Sequence, residues 1–229
     1  TAAAPDAVVD GHGVLTIDAG FTVAAGGSAE FYSADIAITV GNTVEVPTLA
    51  LYTDDGATDM NVGTSAAGAW ELDDAEIGRL STTAVEALTI GEATVQSGTL
   101  TIRTVSLPAA VSSFTVNAPA GGIVLDDEGS ATALEGNGAN MTLRAGTAGI
   151  TSAQATNTFA ELSSNDGGTY GPINLDTTAQ AGGPVGSLAN RILFGAAQTG
   201  LGIATDGGNV WTGGLVDGTG ISIDSIDTF

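Results

Sequence analysis

A triplet of apolar residue, threonine and apolar residue recurs along the chain. It reads "LTI" at 15–17, "FTV" at 21–23, "ITV" at 38–40, "LTI" at 88–90 and again at 100–102, "FTV" at 114–116 and "MTL" at 141–143. In an extended strand the first and third residues share one face and the threonine takes the other. Threonine and its β-branched or aromatic neighbours also favour pleated backbone. The runs "LALYT" at 49–53, "IVL" at 123–125, "INLDT" at 173–177 and "ISIDSI" at 221–226 fit the same pattern. Gly, Asn, Asp or Pro separates most of these segments, as strand boundaries require. Helical signals are confined to two places. "ELDDAEIGRL" at 71–80 predicts a turn or two, capped by Asp73 or Asp74, with Ile77 and Leu80 facing inward. "GSLANRILF" at 186–194 predicts another from Ser187. No other segment shows a sustained 3.6-residue period.

The chain therefore reads as all-β, built from many short strands. Two architectures compete for it. A β-sandwich needs hairpins and their turn dipeptides, yet Asn-Gly occurs only at 137–138. A parallel β-helix tolerates loops of variable length between strands that share cross-sectional positions. The irregular spacing of similar triplets favours a right-handed parallel β-helix, with the β-sandwich as the alternative. At about 20 residues per coil, roughly eleven coils would form a rod about 50 Å long. The two "LTI" segments would then lie on neighbouring faces of one coil, joined at the bend "QSG". The expectation is one β-helix domain over 1–229. The strand-like ending "ISIDSIDTF" suggests a segment of a longer chain or a unit that stacks on other copies. The opening "TAAAPDAVVD" reads equally as a mature N-terminus or as a cut within a longer chain.

Composition narrows the functional classes. The 229 residues include 26 acidic side chains and only four basic ones, Arg79, Arg103, Arg144 and Arg191, for a net charge of −22. Four scattered arginines cannot assemble a nucleic-acid surface, and anionic membranes are disfavoured too. No apolar run is long enough for a membrane-spanning helix. Apolar residues nevertheless make up 43% of the chain, too many for a solvated acidic tail. There is no cysteine, so neither disulfides nor thiolate metal sites are available. The charge is at home in salt, which relieves self-repulsion.

The segment "ELDDAEIGRLSTTAVEALTIGEATVQSGTLTI" at 71–102 carries Glu-Leu, a later Leu-Thr-Ile-Gly, and a Gly before the next apolar–Thr–apolar strand. It resembles the repeats of filamentous haemagglutinin-type exoproteins, large bacterial adhesins with right-handed parallel β-helices. "FTVNAPAGGIVL" and "NMTLRAGTAGI" look like further phrases of that family. The resemblance covers residues 14–150 and is looser beyond. It implies a secreted surface filament or adhesin without catalytic residues. The Asn-Pro-Asn-type motif of the family's secretion domain does not occur here, so the secretion route does not transfer.

Candidate chemistry is sparse. The acid groups Asp54-Asp55, Asp73-Asp74 and Asp126-Asp127-Glu128 suggest hydrolytic pairs, but such a pair needs two carboxylates about 5–10 Å apart on one face. Neighbours on a strand point oppositely, so solvated turn acids are the simpler reading. A pectate-lyase-type site needs more Arg or Lys than the chain supplies. Calcium fits better. The loops 53–59, 125–130 and 164–168 offer oxygen ligands beside Gly turns. The candidate ligands are Asp54, Asp55, Asp59, Asp126, Asp127 and Glu128. None follows the EF-hand spacing or the calcium β-roll repeat. His12 stands alone as the one histidine, which argues against zinc and a serine triad. Trp70, Trp211, Tyr32, Tyr52 and Tyr170 would make a carbohydrate-stacking platform if coils aligned them; otherwise they pack core edges. The expected function is a non-enzymatic, extracellular rod of a bacterial cell surface that meets its own copies end to end and host or cell-surface glycans or proteins. The alternatives are a polysaccharide-binding or polysaccharide-degrading β-helix protein and a surface-layer or capsid-like β-sandwich domain. No cofactor is expected apart from structural calcium.

Overall fold

A computed structural model describes residues 5–64, 69–80, 85–126, 132–153, 159–163, 165–166, 169–170, 173–179, 183–194, 201–214 and 221–225. The chain is almost entirely β, and its strands pair in parallel. One sheet holds nine strands, ordered along the sheet as they occur in the sequence: Ala7–Asp10, Ser28–Ser33, Thr48–Thr53, Ala87–Ile90, Ser113–Ala118, Asn140–Ala145, Ile173–Asp176, Leu201–Thr205 and Ile221–Ser225. A second sheet orders Gly149–Ser152, Gly122–Asp126, Leu100–Arg103, Met60–Gly63 and Trp70–Leu72. A third orders Val105–Ser106, Leu134–Glu135, Phe159–Ser163, Arg191–Phe194 and Thr212–Gly214. Through the middle of the chain each pass visits the first, second and third sheets in turn. Parallel neighbours demand such long crossovers, because a tight reversal can join only antiparallel strands. Among the described residues the antiparallel pairing a sandwich depends on is confined to Asn165–Asp166 with Thr169–Tyr170.

The triplets behave as period two requires. Leu88 pairs in register with Leu49 and Phe114, Phe114 with Met141, and Met141 with Ile173. All five are buried, as are the matching Leu51, Ile90, Val116, Leu143 and Leu175. The intervening Thr89, Thr115 and Thr142 form an aligned row on the outer face. The two "LTI" segments do sit in different sheets, in the strands Ala87–Ile90 and Leu100–Arg103. Gln96 is buried at the bend between them. Its Nε2 donates to the Thr58 carbonyl at 2.9 Å and its Oε1 accepts from the Thr53 hydroxyl at 3.2 Å.

Gly91 opens this bend with φ +80°, and a Cβ there would lie 2.1 Å from the Asn117 carbonyl oxygen. Only glycine accepts that backbone beside so close a neighbour. Asn137 and Gly138 both take positive φ, and Ala139 N donates to Gly136 O at 2.9 Å. That is a tight turn with hairpin chemistry, but it joins Leu134–Glu135 to Asn140–Ala145, which lie in different sheets.

Helix α1, Asp74–Ile77, forms as its capping residues dictate. Asp73 Oδ1 accepts from Glu76 N at 2.7 Å and Glu76 Oε2 accepts from Asp73 N at 3.0 Å. Ile77 and Leu80 turn inward and are buried. The helix also closes an edge. Glu76 Oε1 accepts from Ile38 N at 2.9 Å, and Arg79 donates to the Ile38 carbonyl. The strand Asp35–Ile38 thereby loses groups that would otherwise invite a foreign strand.

Two expectations fail and a third finds no support. Ser187–Phe194 is not helical. A turn in which Asn190 N donates to Ser187 Oγ at 2.9 Å leads into the strand Arg191–Phe194. The run Ile192–Phe194 finds parallel neighbours on both sides, and that tertiary pairing overrides the weak cap. Val40, the inward residue expected of "ITV", is 84% exposed, because the strand ends at Ile38 and the chain turns at Gly41. The eleven-coil estimate finds no support: among the described residues the longest sheet carries nine strands. The step is uneven: Ala29 pairs with Leu49, but Leu49 pairs with Leu88, after an excursion through Trp70–Leu72 and α1.

Candidate functional site

The acids of the candidate loops meet different partners. Asp54 Oδ2 stands 3.7 Å from Nδ1 of the exposed His12. Asp55 Oδ1 accepts from Ala57 N at 3.0 Å, and Asp59 Oδ1 from Thr99 N at 2.6 Å. Asp126 Oδ2 accepts from Arg103 Nε at 2.9 Å, and Asp74 Oδ2 from the Thr64 hydroxyl at 3.0 Å. Asp127 and Glu128 lie outside the described residues, as do Ser164, Gly167 and Gly168 of the third loop. Among the described residues no three His, Asp or Glu side chains converge as a metal-holding group.

The aromatic residues divide. Trp70 is fully buried, with Nε1 lacking a hydrogen-bond partner. Trp211 is partly buried, and its backbone bridges to Val185 and Ile192. The side chain of Tyr170 is outside the described set. Tyr32 and Tyr52, by contrast, occupy paired positions on adjacent parallel strands. Their ring centroids are 4.8 Å apart with planes at 48°. Both rings are half-buried on the outer face of the nine-stranded sheet.

Carboxylates surround this pair. Tyr32 Oη donates to Glu30 Oε2 at 3.2 Å, and Asp10 holds the register position beside Tyr32 on the first strand. Glu92 follows the Gly91 bend, where its Oε1 accepts from the Thr94 hydroxyl at 3.2 Å. Burial, then the Glu30 carboxylate, pushes the Tyr32 phenol well above its ordinary range. Burial raises Tyr52 as well, with Glu30 and Glu92 adding to it. The pair is thus neutral at any ordinary pH and sits in a negative field.

The same face carries a groove further along. Its cavity is about 410 Å³, lined by Thr142, Arg144, Asn174, Asp176, Gly202 and Ala204 among others. It exists because the strand Leu201–Thr205 presents only Gly202 and Ala204 outward, beside the longer Asn174 and Asp176. A Cβ on Gly202 would come within 2.7 Å of Asn174 Oδ1. Arg144 Nε lies 3.8 Å from Asp176 Oδ2, a loose pair with Arg144 half-exposed. The arrangement can offer hydrogen-bond donors and acceptors to a polar ligand.

A second cavity of about 230 Å³ opens where the sheets begin, lined by Val9, Leu15, Ile17, Phe21 and Phe31 among others. Phe21 meets Phe31 edge to face, with centroids 5.0 Å apart. Among the described residues the three strands around it, Ala7–Asp10, Val14–Ile17 and Phe21–Thr22, each pair on one side only.

No family model, no curated protein and no solved structure matches this chain.

Proposed function

We propose that the three sheets close into a single right-handed parallel β-helix, and that the chain is a non-enzymatic, extracellular rod of a bacterial surface fibre or adhesin. The observation that carries this reading is the unbroken register of the nine-stranded sheet, in which Leu49, Leu88, Phe114, Met141 and Ile173 stack as one buried apolar row. Parallel strands with βxβ crossovers take the right hand almost without exception. A stack of laps is stiff along its axis because every lap is hydrogen-bonded to the next. The outward acids hinder lateral aggregation. The apolar opening lined by Val9, Leu15 and Phe21 beside three half-paired strands supports end-to-end contact between copies, or with further laps of a longer chain. The likeness to filamentous haemagglutinin-type repeats agrees with this role.

The test is to couple the protein to beads and measure attachment to bacterial or host cell surfaces, with polysaccharide turnover assayed in parallel. Retention on surfaces with no new reducing ends supports the adhesive rod. Degradation of a polysaccharide would replace it with the enzymatic alternative.

A further inference from the structure

We propose that the Tyr32–Tyr52 platform is a binding site for a glycan bearing free amino groups, of the polyglucosamine class. This deepens the adhesive reading by naming what the surface holds, and it rests on that reading for its setting.

Three observations converge on that ligand. First, the two rings form an aromatic strip on the outside of a rigid sheet, in register rather than by chance approach. Tyrosine offers an apolar body with a polar tip, which suits the C–H face and hydroxyl rim of a pyranose. Second, the strip is bordered by Asp10, Glu30 and Glu92. Of the described arginine side chains, Arg79 meets Ile38 and Arg103 meets Asp126, and Arg144 pairs loosely with Asp176 at the far groove, three strands from Tyr52. Carboxylates beside aromatic faces favour an ammonium group, by charge and by the attraction of cations to π-systems. The net charge of −22 repels uronate or sulfated polymers as strongly as it attracts a cationic one.

Third, the face continues as a polar track rather than ending at the rings. The residues Thr89, Thr115 and Thr142 form the neighbouring row of the same face, in register with Glu30 and Ala50, and lead to the groove at Asn174. From Tyr52 to that groove's edge is roughly 14 Å at normal strand spacing. A chain with hydroxyls on every unit can use such a track. A basic peptide would need only the carboxylates.

The experiment is calorimetric titration of the full chain with tetraglucosamine, its fully N-acetylated counterpart and tetralysine, at a pH where the amino groups are protonated. The expected result is that tetraglucosamine binds at least about tenfold tighter than either other ligand. Tyr52→Ala is expected to weaken it about tenfold or more. Glu30→Gln and Glu92→Gln, which keep shape and remove charge, should each lower affinity severalfold and reduce its salt dependence. Thr151→Ala, in another sheet, should leave it unchanged. If Tyr52→Ala does not fold, Tyr52→Leu with Glu92→Gln reads the same two contributions. Absence of tetraglucosamine binding, equal binding of tetralysine, or binding indifferent to Tyr52 overturns the proposal. A strand-order distance ladder on the same protein tests the rod by itself. A correct ladder without sugar binding would therefore remove the ligand alone, and sugar binding with a wrong ladder would remove the rod alone.

Discussion

Asn117 Nδ2 donates to the carbonyl of Gly91 at 3.1 Å, linking the outer turn of one strand to the strand that stacks on it. Asn117 is 3% exposed, so this bond is made out of water. Asn117→Ala leaves the Gly91 carbonyl short of its partner and should cost about 1–3 kcal/mol. Gly91→Ala should cost at least as much, because both the positive φ and the approach to the Asn117 carbonyl exclude a Cβ. Urea denaturation checks both. Losses under about 0.5 kcal/mol would mean that the two strands are not held in this register.

Arg103 and Asp126 are also register partners, and Nε meets Oδ2 at 2.9 Å with both side chains largely covered. A double-mutant cycle with Arg103→Ala and Asp126→Ala should return a coupling of about 1 kcal/mol, shrinking in high salt. Zero coupling at low salt would contradict the pairing.

Glu76 gives a pH signature. Burial raises its carboxyl above the ordinary range, even though the N–H groups of Asp73 and Ile38 favour the ionised form. A raised folded-state pKa means that the folded chain binds this proton more tightly than the unfolded one. The associated stability is fully present below the unfolded value and is lost as pH rises through the folded value. Melting temperature should therefore fall as pH is raised above the ordinary glutamate range. Glu76→Gln should lower stability by about 1–3 kcal/mol, since the amide offers one acceptor to two donors. It should also flatten the slope. A variant as steep as the parent would show that Glu76 is not the titrating group.

Salt should stabilise the chain, because a net charge of −22 repels itself. Raising NaCl from about 20 mM to about 0.5 M should lift the melting temperature by several degrees. An unchanged or lower value would contradict this. Calcium is separated by matching ionic strength. An excess over NaCl that is lost in Asp55→Asn or Asp127→Asn marks a bound ion, and equal curves mark screening alone.

Much of the fold was legible because its signal is local. Leu88, Thr89 and Ile90 announce a half-buried strand by themselves, and Asp73 with Glu76 announces a helix start. Other features depend on distant partners. Ser187 resembles a cap, but whether Ile192 goes into a helix or a strand depends on Phe159–Ser163 and Thr212–Gly214 alongside it. The helix signal at 71–80 does not declare how long the excursion between residues 53 and 87 is, so a count of coils by average length finds no support. The tyrosine platform had the same difficulty. Tyr32 and Tyr52 were visible as candidates, yet their meeting depends on the loop between them returning the strand in register, which residue type does not reveal. Asp54 and Asp55, adjacent in sequence, engage different partners.

The most direct test of the stacked architecture uses the absence of cysteine, which lets spin-label pairs be placed at will. With one label at Glu30 and the second at Thr89, Thr142, Asn174 or Gly202, all in one outer row, pulsed dipolar spectroscopy reads the spacing. The expected distances grow in that order by about 4.8 Å per strand crossed, to about 29 Å at Gly202. A distance to Asn174 or Gly202 shorter than that to Thr142 would show that the strands fold back on one another, and would contradict the rod.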